Sequence, residues 1–364
     1  MTNKFFLVLC NLAISCTMLQ AQTLTFSNAA PNNSPQHLIQ NVFVGNTITT
    51  LNHTFNGLAG NTTSSQVGFF SNGASTIGLD SGIVLTSGRI QTIAQNGFSS
   101  FNNFGPGDPD LLTISSSVPA NTCPPTSTND RAILEFDFVA TTTDTITFDY
   151  VFASEEWPNF VCTVFNDVFA FLVSGPGING PYSNNAINVA IVPGDTLPVS
   201  ISSIHNGTAG CFTANCFGNP LNNAFYLSVT GPAFTFNAPN AKTTVLTTLA
   251  FPVNACDTYT VSLKIADGTD RIYDSAVFLE AGSFTGSGIV VTPAPSFDPF
   301  GSDTNFFEQC GVVDIIFVRT DTTGIYPAQC IDIDVAGSAT PGVDYTPALP
   351  DSVCWQLGED SAVV

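Results

Sequence analysis

Between Thr145 and Gly175 the chain reads TITFDYVFASEEWPNFVCTVFNDVFAFLVSG, a pattern that few folds can hold. Ile146, Phe148, Tyr150 and Phe152 share one face of an extended segment, with Thr147, Asp149, Val151 and Ala153 on the other. A two-residue period rich in β-branched and aromatic side chains belongs to strands rather than helix. The second run, Asp167 to Val173, is apolar on both faces and reads as a buried strand. Between the runs lie Ser154, Glu155, Glu156, Trp157 and Pro158, then Asn166 and Asp167 at the mouth of the return strand. The pattern predicts a hairpin whose connecting loop gathers carboxylates and aromatics. Chemistry, if the chain has any, belongs there.

The same alternation recurs along the chain. Gly68 to Arg89 alternates glycine turns with short apolar strands, and Asp130 to Val139 (DRAILEFDFV) leads into the central pair. Further strands are expected at Leu38 to Val44, Ile187 to Val192, Val199 to Ile204, Ala224 to Thr230, Lys242 to Leu249, Tyr259 to Ile265 and Ser275 to Glu280. Ile93 to Val118 reads as a long polar loop around FGPGDPD, where Gly105, Pro106 and Pro109 punctuate the chain. Strong helix formers are scarce, and Thr, Ser, Asn, Gly, Pro and Phe are plentiful, so the fold class is all-β. Many short strands with regular turn signals predict a jelly-roll-like two-sheet sandwich, with most of the 31 Phe in its core. Small and Pro-rich residues from Gly282 to Pro299 mark a domain boundary. The expected division is a sandwich over 22–284, a linker over 285–299 and a smaller sandwich over 300–364. In that second unit Val312 to Arg319, Ile331 to Val335 and Ser352 to Leu357 alternate again.

The N-terminus, MTNKFFLVLCNLAISCTMLQAQ, carries Lys4, an apolar run from Phe5 to Leu19 and Ala21 before Gln22. It reads as a signal peptide over 1–21, too short for a membrane anchor. A lipoprotein reading would use Cys16 after Ala13-Ile14-Ser15, a poor match. Without the leader, ten cysteines become eight: Cys123, Cys162, Cys211, Cys216, Cys256, Cys310, Cys330 and Cys354. An even set in an exported chain suggests disulfides, with Cys211 and Cys216 able to close a small loop. His37, His53 and His205 lie far in sequence from close cysteine pairs, which argues against zinc. A net charge of −21 argues against nucleic acid or anionic lipid as partner and leaves carboxylates for metal ions.

Six separated motifs resemble one known family. GIVLTSGRI, AILEFDFVATTTDTITFDY, YVFASEEWPNF, FNDVFAFLVSGPG, INVAIVPGDTLPVSI and LKIADGTDRIYDSAVFLEAGSF, in that order, are similar to the choice-of-anchor L domain of bacterial surface and secreted proteins. The resemblance covers about Gly68 to Phe284 and implies location more than mechanism. In the tail, Gly337 to Asp360 (GSATPGVDYTPALPDSVCWQLGED), with Phe317-Val318-Arg319-Thr320 before it, resembles a Calx-beta domain. That resemblance implies an immunoglobulin-like sandwich, often calcium-binding or adhesive, interrupted here at Val364 and so incomplete.

Calcium is the sharpest chemical expectation. Asp267, Asp270 and Asp274 cluster around Gly268 in IADGTDRIYDSA, and Glu155, Glu156, Asn166 and Asp167 form a second acidic group. Calcium takes six to eight oxygen ligands, and a glycine-containing loop can wrap it. Against that stands ordinary turn chemistry, in which Asp bonds its own backbone. Asp344, Asp321 and Glu308 are the corresponding candidates in the tail. A hydrolase would need two carboxylates facing across a bond. Glu155 and Glu156 are adjacent and point apart in extended chain, so Glu156 would have to work with another carboxylate such as Asp167 or Asp267. No nucleophile elbow, phosphate loop or dinucleotide motif is present, and His205 has no motif-defined partner. Trp157 and Phe160 are the candidate ligand-stacking residues, set against a role for Trp157 as a plug of the sandwich end. The resulting expectation is a non-enzymatic secreted or cell-surface binding or adhesion protein, stabilised by calcium, whose partner is an extracellular glycan or surface protein. A calcium-dependent carbohydrate-binding module is the alternative.

Overall fold

The computed structural model describes residues 23–45, 48–93, 101–118, 124–140, 144–207, 222–229 and 240–286, and in the tail 289–295, 313–319, 329–332, 350, 352–356 and 358–363. Two antiparallel sheets carry the fold. One runs through Thr25–Ser27, Val67–Ser71, Gly82–Thr86, Ser275–Glu280, Asp149–Ser154, Ala241–Thr243 and Tyr226–Ser228, with Leu246–Thr247 also on the Asp149–Ser154 strand. The other runs through Ile187–Asn188, Val168–Ser174, Thr258–Gly268, Thr128–Ala140, Ile48–Phe55 and Leu58–Ala59. The all-β expectation holds.

The two runs flanking the acidic loop are not a hairpin. Asp149–Ser154 belongs to one sheet and Val168–Ser174 to the other, so the loop between them crosses the end of the sandwich. Alternation predicts which side chains share a face, but it does not name the strand alongside. The sheets meet through those faces: Tyr150 lies 5.3 Å from Phe169 and 5.1 Å from Phe171 between ring centroids, and Phe152 lies 5.0 Å from Phe169. The upstream part of the first run separates as Asp144–Thr147, which pairs with Phe251–Val253 and Thr285–Gly286 in a small third sheet.

Both outer faces are covered as well. Val84, Val151, Ala153, Ala276 and Phe278 on the back of the first sheet pack with Phe70, Ile77 and Leu79. Val168, Ala170, Leu172 and Ala266 on the back of the second pack under a helix, Pro109–Ser116, through Leu111 and Ile114. This helix replaces part of the expected Ile93 to Val118 loop. Its start was written in the sequence: Asp108 caps it, accepting from the Asp110 and Leu111 N–H groups at 3.0 Å each, and Pro109 occupies the first turn. Lys264 on the central strand clamps it, with Nζ 3.0 Å from both Asp108 and Asp110.

Other expected strands change character. Leu38–Phe43 is a π-helix following a single turn, Pro35–His37, capped by Ser34; Leu38, Ile39 and Phe43 on its inner side are fully buried. Apolar residues at 38, 39, 42 and 43 suit a helical period better than alternation. Val199 to Ile204 is turn and isolated bridge, with Val199, Ile201 and Ile204 buried. Ile187 to Val192 shrinks to Ile187–Asn188, Ala224 to Thr230 to Tyr226–Ser228, and Lys242 to Leu249 divides into Ala241–Thr243 and Leu246–Thr247. Ser275–Glu280 stands as expected, and Tyr259 to Ile265 extends to Thr258–Gly268.

Within the segment expected as a linker, the described residues include two strands, Thr285–Gly286 and Ile289–Pro295. Thr285–Gly286 pairs within the first unit, while Ile289–Pro295 pairs with Val313–Arg319, which also pairs with Ser361–Val363. Gln329–Asp332 pairs with Ser352–Trp355, and a disulfide joins Cys330 to Cys354 directly across that register. Cys162 is also disulfide-bonded, and Cys256 is free and exposed. The signal peptide, the Cys211–Cys216 loop, most of the Calx-beta motif, and Glu308, Asp321 and Asp344 lie outside the described residues.

Candidate functional site

Pairing registers bring six strand ends together. Ser275 sits opposite Ser154, Ala276 opposite Thr86, Ala266 opposite Val168, and Gly268 opposite Thr128. One end of the sandwich therefore collects Ser87–Gly88, Asp130, Glu155–Glu156, Asn166–Asp167 and the 267–274 loop. Both acidic groups expected from the sequence arrive at this end, although they are a hundred residues apart along the chain.

The carboxylates there do different things. Asp167 is fully buried and satisfied, its Oδ1 accepting from the Gly268 N–H at 2.9 Å and its Oδ2 from the Ser275 hydroxyl at 2.6 Å. Asp130 is fully buried and accepts from the Asn103 N–H at 3.0 Å, from the Gly105 N–H at 2.6 Å and from Arg271. Asp274 Oδ2 accepts from the Phe101 N–H at 3.2 Å. Asp267 is different. It is 0% exposed, and neither of its carboxylate oxygens has a hydrogen-bond partner. Glu156, 1% exposed, likewise keeps Oε2 without one.

The electrostatics follow from that crowding. Burial pushes the Asp267 carboxyl well above the usual range, and the charges of Asp167 and Asp274 push it further; the nearby Ser87 hydroxyl opposes this only in part. Glu156 is raised by burial first, then by Asp167, Asp270, Asp267 and Glu155. Asp167 is raised by burial despite its two hydrogen bonds. A buried group of this kind must take up protons or meet a cation. The donors on offer among the described residues are oxygens, without sulfur or imidazole, which suits a hard cation such as Ca²⁺ rather than zinc. Among the described residues no three His, Cys, Asp or Glu side chains already stand in a ligand arrangement, so an ion here would also draw on backbone carbonyls, water or a small side-chain shift.

Strain gathers at the same end. Phe104, Asp130, Thr269 and Tyr273 have left-handed φ of 54°, 51°, 70° and 65°, which β-branched and aromatic residues rarely adopt. Gly88 is required for a steric reason, since a Cβ there would run into the Asp274 carboxylate.

Several expected site residues serve elsewhere. Asn166 is a clip: Nδ2 donates to the Ser115 carbonyl at 2.8 Å and Oδ1 accepts from the Ser202 N–H at 3.1 Å. Asp270 is half-buried and caps its own turn, accepting from the Ile272 N–H at 3.1 Å. Glu155 is buried beside Glu156, and its carbonyl accepts from Asn240 at 2.6 Å. Trp157 offers no stacking face. It is 0% exposed, donates from Nε1 to the Ile201 and Ile204 carbonyls at 3.1 and 2.8 Å, and meets Phe152 and Tyr226 edge-on, as a plug would. Phe160 is half-buried, with ring centroids 5.5 Å from Phe165 and 5.4 Å from Tyr273. His205 is buried, its Nδ1 accepting from the Gly207 N–H at 3.0 Å, and burial holds its imidazole down to about 4.

Asp130, Arg271, Ser87 and Gly88 were not foreseen. A signal for Asp130 existed. It continues the inward parity of Ala132, Leu134, Phe136 and Phe138, as Asp167 continues that of Phe169, Phe171 and Val173. A carboxylate on the core side of a strand is a stronger pointer than one in a loop.

Residues 26–285 match the family model described as Choice-of-anchor L domain. A comparison with curated proteins found no match.

Proposed function

Because the chain belongs to the choice-of-anchor L domain family, we propose that it is a non-enzymatic bacterial binding or adhesion protein of the cell surface, calcium-stabilised at one end of its sandwich. The family suggests a surface-anchored or secreted bacterial protein. No helix among the described residues is long and apolar enough to cross a membrane. One observation carries the calcium reading: the fully buried Asp267 carboxylate, both oxygens without hydrogen-bond partners, beside Asp167 and Asp274. Those three and Glu156 would hold the ion, which would offset their negative charge and join loops from both sheets. The hydrolase reading fares worse, because Glu156, Asp167 and Asp267 are at most 1% exposed and a scissile bond would have no approach. A carbohydrate-binding module loses its aromatic platform once Trp157 is interior. The tail we read as Calx-beta-like, with its own calcium candidates at Glu308, Asp321 and Asp344.

The test is thermal unfolding with calcium and with chelator. An ion bound by the folded state alone raises the midpoint. Equal midpoints, together with no calcium retained on equilibrium dialysis, would remove the calcium reading.

A further inference from the structure

The carboxylate cluster also holds a loop. Phe101, Asn103 and Gly105 each point a backbone N–H at it: Phe101 to Asp274 at 3.2 Å, Asn103 and Gly105 to Asp130 at 3.0 and 2.6 Å. The Asn103 side chain adds bonds to the Ser87 and Gly88 carbonyls at 2.6 and 2.9 Å, and the Asp130 N–H returns one to the Gly105 carbonyl at 3.3 Å. Held at alternate residues, the loop turns Phe104 outward, 84% exposed and at φ 54°. An aromatic ring in water on a left-handed backbone is unfavourable twice over, so its surroundings must impose it. The surroundings here are the carboxylates of Asp274 and Asp130, which hold the residues on either side of it.

We propose that the cation bound beside Asp267 sets this loop, so that calcium controls whether Phe104 is presented to solvent. The inference rests on the calcium reading above. Its physical link is charge. Without the ion, the buried Asp267 and Asp167 crowd Asp274 and Asp130, and displacement of the carboxylates relieves the repulsion. Displacement weakens the bonds to the three N–H groups. With the ion, Asp274 and Asp130 stay in place. Arg271, paired with Asp130 from the rim, is the second cation of the same network.

The three donors are themselves the reporters. Hydrogen exchange of the Phe101, Asn103 and Gly105 amides is measured on the full chain in calcium and in chelator. The expected result is exchange at least about ten-fold slower in calcium, as for a loop whose opening is suppressed. Asp130→Asn should speed exchange at Asn103 and Gly105 while the calcium-induced rise in melting midpoint persists. A midpoint that rises with calcium while the three amides exchange equally in both conditions would overturn this inference and leave the calcium reading standing. If neither midpoint nor exchange responds, both fall.

Discussion

Replacing Asp267 by Asn separates a cation site from a merely crowded interior, because the two predict opposite responses in the two conditions. Asn keeps the shape and removes the charge. In chelator the wild-type protein carries a buried carboxylate with no partner, a defect of about 1–3 kcal/mol; the amide removes the charge and brings N–H donors towards the neighbouring carboxylates. Asp267→Asn should therefore unfold at higher temperature than wild type when calcium is absent. In about 2 mM calcium that advantage should shrink or invert. A site with a dissociation constant of about 10⁻⁴ M, typical of extracellular modules, gains about 2 kcal/mol from the ion, or about 4–8 °C in midpoint for a domain of this size. The variant should shift by less than about 1 °C. Differential scanning calorimetry of both proteins in both buffers gives all four midpoints. The same reasoning fixes the pH dependence in chelator. The raised carboxyls of Asp267, Asp167 and Glu156 bind protons in the folded state that the unfolded chain releases. Their contribution is full below the ordinary carboxylate range, near about pH 4, and is lost as pH rises through the folded values. Calcium should flatten that slope. Parallel shifts of wild type and variant with calcium would refute the assignment of Asp267 as ligand.

Three further outcomes follow from the packing. His205, held to about 4, resists protonation in the fold, so its contribution is full above about pH 6.5 and lost as pH falls towards the folded value, by up to about 3 kcal/mol; His205→Gln should remove that acid limb from urea melts run between those pH values. Trp157→Ala should cost about 3–5 kcal/mol and Trp157→Phe, which loses the indole N–H donor and part of the ring volume, about 1–3 kcal/mol; an exposed stacking residue would instead leave chemical denaturation within about 0.5 kcal/mol of wild type. Lys264→Met leaves Asp108 and Asp110 facing one another under the helix and should cost about 3–5 kcal/mol, most of it recovered when both aspartates are also made Asn, as read from denaturation midpoints.

Much of this was legible without coordinates. The alternation of Asp130 to Val139 reappears residue for residue as buried and half-buried positions along Thr128–Ala140. Ser275–Glu280 was visible because a short apolar run bounded by Asp and Gly has few other options. The helix at Pro109–Ser116 was missed because its proline was read as punctuation, when an Asp-Pro pair ahead of Leu-Leu is equally a helix start. Leu38–Phe43 was missed because its short apolar run was read as a strand, although the spacing at 38, 39, 42 and 43 fits a helical turn better. The acidic residues were legible as a set, but not their roles: Asp167, Asn166 and Asp270 look alike in sequence as loop polar residues, yet one is a buried carboxylate, one a clip and one a turn cap.

The amino-acid sequence by itself determined the secondary-structure class, the inward faces of the long strands and the family, because each of these depends on local spacing or on motif order. Tertiary structure decided which sheet each strand joined, and so turned an apparent hairpin into a crossover between layers. It alone could decide that Asp267 ends without a partner while Asp167 has two. Hydrogen-bond satisfaction and desolvation depend on neighbours brought together across long stretches of chain, and no local pattern records who those neighbours are.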